Sequence, residues 1–146
     1  MTASALPRPF GRYLLLRRLA TGGMAEVYLA KLLGGGGFEK PVAIKRIHPV
    51  LAAGEASSAS LSAEAKLSVG LNHPNIVQTF DLGQAEGSDY LVMEHVEGRD
   101  AQQVLDALAG EGRAFPIDLA AHVVREICRG LAYAHARDVV HRDVKP

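Results

Sequence analysis

The chain has 146 residues, with 16 Lys plus Arg against 16 Asp plus Glu, a formal net charge of +0 and 48% hydrophobic residues. That is enough for one globular domain and not two; it is too apolar for a disordered chain, and the 15 Gly and 7 Pro follow no collagen-like period. A neutral balance provides no general field to draw nucleic acid or an anionic membrane, and the lone Cys128 excludes an internal disulfide and a cysteine-based zinc site.

Residues 1–9 carry two prolines and small polar residues without a period, and read as a flexible leader, so the folded domain is expected over 10–146. The longest wholly apolar run near the start is Tyr13 to Leu16, far short of a signal-peptide core or of the roughly 20 residues of a membrane span. This segment is therefore expected to be cytoplasmic and to touch no membrane. Tyr13 to Leu19, Glu26 to Leu32 and Pro41 to Ile47 are short β-branched, aromatic and aliphatic runs separated by glycine-rich breaks, the pattern of antiparallel strands. Gly34 to Gly37 has no Gly-Lys-Ser/Thr after it and reads as a hairpin connection. Ala56 to Leu71 predicts a helix with Leu61, Glu64, Ser68 and Leu71 on one face. Ile76 to Leu82 and Tyr90 to Val96 read as two more strands around a turn at Gly83 to Asp89. Helices follow at Asp100 to Ala109 and Pro116 to Ala136, the second with Val123, Val124, Ile127, Cys128, Leu131 and Ala134 on one side and Arg125, Arg129 and Arg137 on the other. His135 and Cys128 read as core residues of that stripe. The fold class is thus α+β, a five-stranded antiparallel sheet with one helix followed by further helices.

Three clusters carry chemistry. The stretch Leu19-Ala20-Thr21-Gly22-Gly23-Met24-Ala25-Glu26-Val27 joins two strands, where small residues let backbone N–H groups approach a polyphosphate; an ordinary hairpin fits the same residues. Val42-Ala43-Ile44-Lys45 sets a lysine in an apolar strand, and a buried ammonium needs a partner, for which Glu64 is the candidate; both residues lying on the surface is the competing reading. In His141-Arg142-Asp143-Val144-Lys145-Pro146, Asp143 could accept the proton of an attacking hydroxyl and Lys145 could reach the same phosphoryl group, or the whole could be a solvated loop. The six histidines show no His-Glu-x-x-His frame, so no metal ligands are assigned.

Taken together and in this order, these clusters, with His73-Pro74-Asn75-Ile76-Val77 and Leu91-Val92-Met93-Glu94, resemble the protein kinase family from about Phe10 to Pro146. The Gly22 to Tyr28 wording is most similar to bacterial serine/threonine kinases of the eukaryotic type. The resemblance implies a kinase-like sheet lobe and the first helices of an incomplete helical lobe. It further implies ATP as cofactor, with Leu19, Val27 and Ala43 around the adenine. Ala20, Thr21, Gly22, Gly23, Met24, Ala25 and Glu26 would form the loop over the phosphates, and Lys45 would lie on the α- and β-phosphates with Glu64 behind it. Met93 would be the gatekeeper, Glu94 and Val96 would offer backbone hydrogen bonds to the purine, Asp143 would orient or deprotonate the acceptor hydroxyl, and Lys145 would steady the γ-phosphate. Lys145 favours a Ser/Thr acceptor in a protein substrate, and Arg142 suggests control by activation-loop phosphorylation.

Two departures qualify this. Ala20 and Ala25 stand where the family pattern has the first and third loop glycines, so weaker or slower nucleotide closure, rather than none, is expected. The asparagine and the Asp-Phe-Gly triplet that hold Mg2+ in the family are expected beyond residue 146, which makes this stretch an N-terminal portion of a longer kinase, inactive by itself. A non-catalytic nucleotide- or kinase-binding regulatory module is the alternative, with a small-molecule phosphotransferase ranked behind both.

Overall fold

A computed structural model describes residues 6–23, 25–33, 40–47, 70–142 and 144. The expected helix at Ala56 to Leu71 and the Gly34 to Gly37 connection lie outside the described residues, apart from Gly70 and Leu71. The chain divides into two compact units, Met1–Leu71 with Gln78–His95 and Asn72–Val77 with Val96–Pro146.

The first unit is an antiparallel sheet of six strands: β1 (Arg8–Phe10), β2 (Tyr13–Thr21), β3 (Ala25–Leu32), β4 (Pro41–Ile47), β5 (Thr79–Ala85) and β6 (Ser88–Glu94), in the order β1-β2-β3-β4-β6-β5. Five were legible in the sequence. The sixth, β1, includes Arg8 and Pro9 from the expected leader; Arg8 pairs with Leu15 and Phe10 with Tyr13. A three-residue strand holding a proline has no readable period, and proline is tolerated there because β1 is an edge.

The sheet curls until β1 meets the far hairpin. Arg8 Nη1 lies 2.7 Å from Glu86, Arg46 reaches the same carboxylate at 3.5 Å, and Arg12 pairs with Asp81. Inside the curl, Phe10, Tyr13, Leu15, Tyr28, Ala30, Val42, Ile44, Tyr90 and Val92 form the core. The Tyr90 ring takes edge-on contacts from Phe10 at 5.3 Å and Tyr13 at 5.9 Å. A smaller cluster of Ile47 and Leu91, with Met93 against it, forms separately from this core.

The last hairpin is shifted from its expected register. Its turn is Glu86-Gly87, both with positive φ (51° and 69°), as a tight two-residue hairpin requires. Gly83, read as turn, is a strand residue opposite Tyr90, and its missing side chain leaves room for that ring: a Cβ there would stand 2.4 Å from the Tyr90 hydroxyl. Glycine marks a close approach here rather than a turn.

The second unit holds α1 (Ala101–Gly110) and α2 (Ile117–His135), close to the expected spans. Asp100 caps α1 by accepting the Gln103 N–H at 2.7 Å. The segment Asn72–Val77 is bound to α2. Asn75 Nδ2 donates to both the carbonyl and a carboxylate oxygen of Glu126 at 2.9 Å, the Asn72 N–H donates to the Tyr133 hydroxyl at 3.2 Å, and the His73 and Tyr133 rings lie 5.0 Å apart. This tie accounts for Ile76 and Val77 lying outside the strand that the sequence had suggested, because the residues just before them are fastened to a helix; Gln78, whose carbonyl accepts the Glu94 N–H at 2.8 Å, belongs to the sheet unit. Cys128 and His135, expected in a core, are exposed, as are Val124 and Ile127 on the same stripe.

Candidate functional site

Opposed residues in neighbouring strands share a face of the sheet, which fixes which candidate residues come together. Ala20 lies opposite Val27, Val27 opposite Lys45, Leu29 opposite Ala43, and Ala43 opposite Met93. Val27, Ala43, Lys45 and Met93 therefore stand on one face, the one opposite the aromatic core. Ala43 is buried, and Val27, Lys45 and Met93 are half-buried. An apolar floor with one cation beside it is the surface a flat heterocycle carrying phosphates would meet.

Above that floor β2 and β3 run into the loop. The Gly22 N–H donates to the Ala25 carbonyl at 2.8 Å, closing a tight turn at the tip. Among the described residues, a Cβ on Gly23 would meet nothing within 4 Å and one on Gly22 would meet the Ala25 carbonyl at 3.5 Å, so neither glycine carries a side chain between its backbone and an approaching group. Ala20 and Ala25 sit in the strand ends rather than at the tip, Ala20 in β2 and Ala25 at the start of β3. Both keep extended pairing that alanine adopts without strain.

The loop's base carries a feature the sequence reading had not singled out. Arg18 Nη1 donates to Glu26 Oε1 at 3.0 Å, and the Tyr28 hydroxyl donates to Glu26 Oε2 at 2.8 Å. Burial pushes the Tyr28 hydroxyl pKa up, and the hydrogen bond to the carboxylate adds to that. The signal was available: Glu26 and Tyr28 are two apart on one strand and share a face.

Leu19, Thr21 and Glu94 also belong to this unit; Val96 belongs to the other. Met24, Glu64, Asp143 and Lys145 lie outside the described residues. Arg142, beside Asp143, has φ 62°, a left-handed conformation uncommon for a long side chain. Among the described residues no three His, Cys, Asp or Glu side chains gather as a metal site.

A protein kinase domain model matches residues 13–146. The chain belongs to the protein kinase family. The tyrosine-protein kinase MasK of Myxococcus xanthus is 44% identical over 150 residues, covering 97% of this chain and 23% of MasK. A probable serine/threonine-protein kinase, pknA2 of Bifidobacterium longum, is 40% identical over 93% of this chain and 17% of its own length. Other bacterial relatives, such as PrkC of Bacillus subtilis, are also named serine/threonine-protein kinases. The crystal structure of the PknI kinase domain of Mycobacterium tuberculosis superposes with TM-score 0.77 at 32% identity, covering 99% of this chain and 55% of that one. The kinase chain thus spans about a quarter or less of these curated relatives and about half of the solved kinase domain.

Proposed function

We propose that the protein to which this kinase chain belongs transfers the γ-phosphoryl group of ATP to a Ser or Thr hydroxyl of a protein substrate, and that this chain supplies the nucleotide-binding face. The observation that carries the reading is the register that puts Lys45 beside Val27 and Ala43 on one face, in the strands that adjoin the glycine-containing loop. Small apolar side chains suit an adenine ring, and the absence of side chains at Gly22 and Gly23 suits the close approach of a triphosphate to the main chain, which supports the nucleotide reading. Leu19, Val27, Ala43 and Met93 would hold the purine, Glu94 and Val96 would hydrogen-bond its edge, and Lys45, steadied by Glu64, would neutralise the α- and β-phosphates. Asp143 would orient the acceptor hydroxyl and take its proton on a carboxylate oxygen, while Lys145 would hold the transferring group. Mg2+ supplies charge neutralisation on the phosphates when bound.

The acceptor has a second reading, because MasK, 44% identical to this chain, is named a tyrosine kinase. Lys145 two residues after Asp143 is the residue that favours Ser/Thr.

One experiment addresses the reading. The full-length gene product is incubated with labelled ATP and a protein acceptor, and the labelled amino acid is identified after acid hydrolysis. Label on Ser or Thr that falls more than about a hundredfold in Lys45→Met is expected, the size of losing a charge aimed at the transferring group. Label on Tyr assigns the other acceptor; nucleotide binding without transfer points to a regulatory module. The chain of 146 residues by itself is expected to bind ATP without turning it over.

A further inference from the structure

We propose that Glu26 is a positioning residue for the loop over the phosphates, acting through its side chain from the face of the sheet opposite the nucleotide. This rests on the nucleotide reading given above.

Glu26 and Val27 are adjacent in β3, so their side chains point to opposite faces. Val27 belongs to the face of Lys45; Glu26 shares the inner face with Tyr28, a core residue only 7% exposed. The Glu26 carboxylate is held at both oxygens, by the buried Tyr28 at 2.8 Å and by Arg18 of the opposing strand at 3.0 Å. The place where Arg18 acts is where the backbone ladder is weakest. The β2–β3 pairing slips once between Leu15 and Arg17 and again between Arg18 and Ala20, flanking Arg18 on both sides. Such irregularities bend a strand and interrupt its ladder locally. The charge-assisted side-chain bond at that point adds a tie between the two strands and, through Tyr28, to the core.

From Glu26 the constraint passes along the main chain. Fixing residue 26 fixes Ala25, whose carbonyl receives the Gly22 N–H at 2.8 Å. Gly22 and Gly23 are thereby held in one arrangement, and a loop held in its binding arrangement loses less conformational freedom when phosphates arrive.

The test is titration calorimetry of the chain and of Glu26→Gln, Glu26→Ala and Tyr28→Phe with two probes, ATP and adenosine, together with hydrogen exchange at the Gly22 and Gly23 amides and a melting curve for each variant. Glu26→Gln keeps the shape and guards against a variant that fails to fold. ATP affinity is expected to fall roughly three- to tenfold in Glu26→Ala, and less in Glu26→Gln and Tyr28→Phe, the scale of one partly exposed charged hydrogen bond. Adenosine affinity is expected to change less than about twofold, because adenosine has no phosphates for the loop to cover, and Gly22 and Gly23 exchange faster. Equal losses for ATP and adenosine, or unchanged exchange at the tip, overturn the positioning role. If the unsubstituted chain binds neither probe, the nucleotide reading fails; exchange at the tip still reports separately whether Glu26 holds the loop.

Discussion

Gly83 and Glu126 each depend on one side chain from a different element. Gly83 faces the Tyr90 ring, which is buried in the core and locked by Phe10 and Tyr13, so it cannot swing away from an added methyl. Gly83→Ala is expected to lower stability by about 1–3 kcal/mol through overpacking, read as a lower midpoint in denaturant with an unchanged slope. Glu126 works by charge. The Asn75 amide, then Arg125 and Arg129, hold its carboxyl below the usual glutamate range. A depressed folded pKa contributes stability that is present above the ordinary glutamate range and lost as pH falls through the lowered value. The difference in melting temperature between the chain and Glu126→Gln should therefore be present at neutral pH and vanish on acidification, while an NMR titration finds the carboxyl below its usual range.

At the scale of elements, β1 shows how a short segment earns its place. Three residues have almost no intrinsic strand stability, yet Phe10 is 1% exposed and packs on Tyr90, with Arg46 over its other side at 5.1 Å from the ring centroid. Phe10→Ala is expected to destabilise the sheet unit by about 3–5 kcal/mol, measured by urea unfolding. If β1 were dispensable to the sheet, that substitution would cost almost nothing. The segment Asn72–Val77 shows the converse. Its last two residues, Ile76 and Val77, were expected to begin a strand, but Asn75 and His73 just before them spend their polar atoms on α2 and on the turn itself. The helices were easier to read, because capping and a 3.6-residue period are local properties: Asp100 caps α1 one residue from the expected start, and α2 begins straight after Pro116.

At the scale of the whole molecule, the two units differ in how completely each covers its apolar surface. The sheet unit curls on itself and, among the described residues, encloses a core of nine. The helical unit leaves Ile117, Leu119, Val124 and Ile127 exposed. An apolar stripe of this kind binds hydrophobic dyes. The chain is expected to enhance anilinonaphthalene sulfonate fluorescence, and Val124→Ser with Ile127→Ser is expected to reduce that signal without moving the melting transition of the sheet unit.

The sequence alone determined five strands, the two later helices, the kinase resemblance and the order of the chemical clusters, because each depends on residues close together along the chain. Tertiary structure alone decided the sixth strand, the curl of the sheet, the shifted hairpin and the hold of Arg18 and Tyr28 on Glu26. Arg8 and Glu86 are 78 residues apart, and no local period links them. Propensity and spacing act over a few residues, whereas pairing across the curl and the fit of one aromatic ring over one glycine exist only once distant segments pack. Cys128 and His135 make the same point in reverse: a helical stripe shows which residues share a side, and only the packed chain decides whether anything covers it.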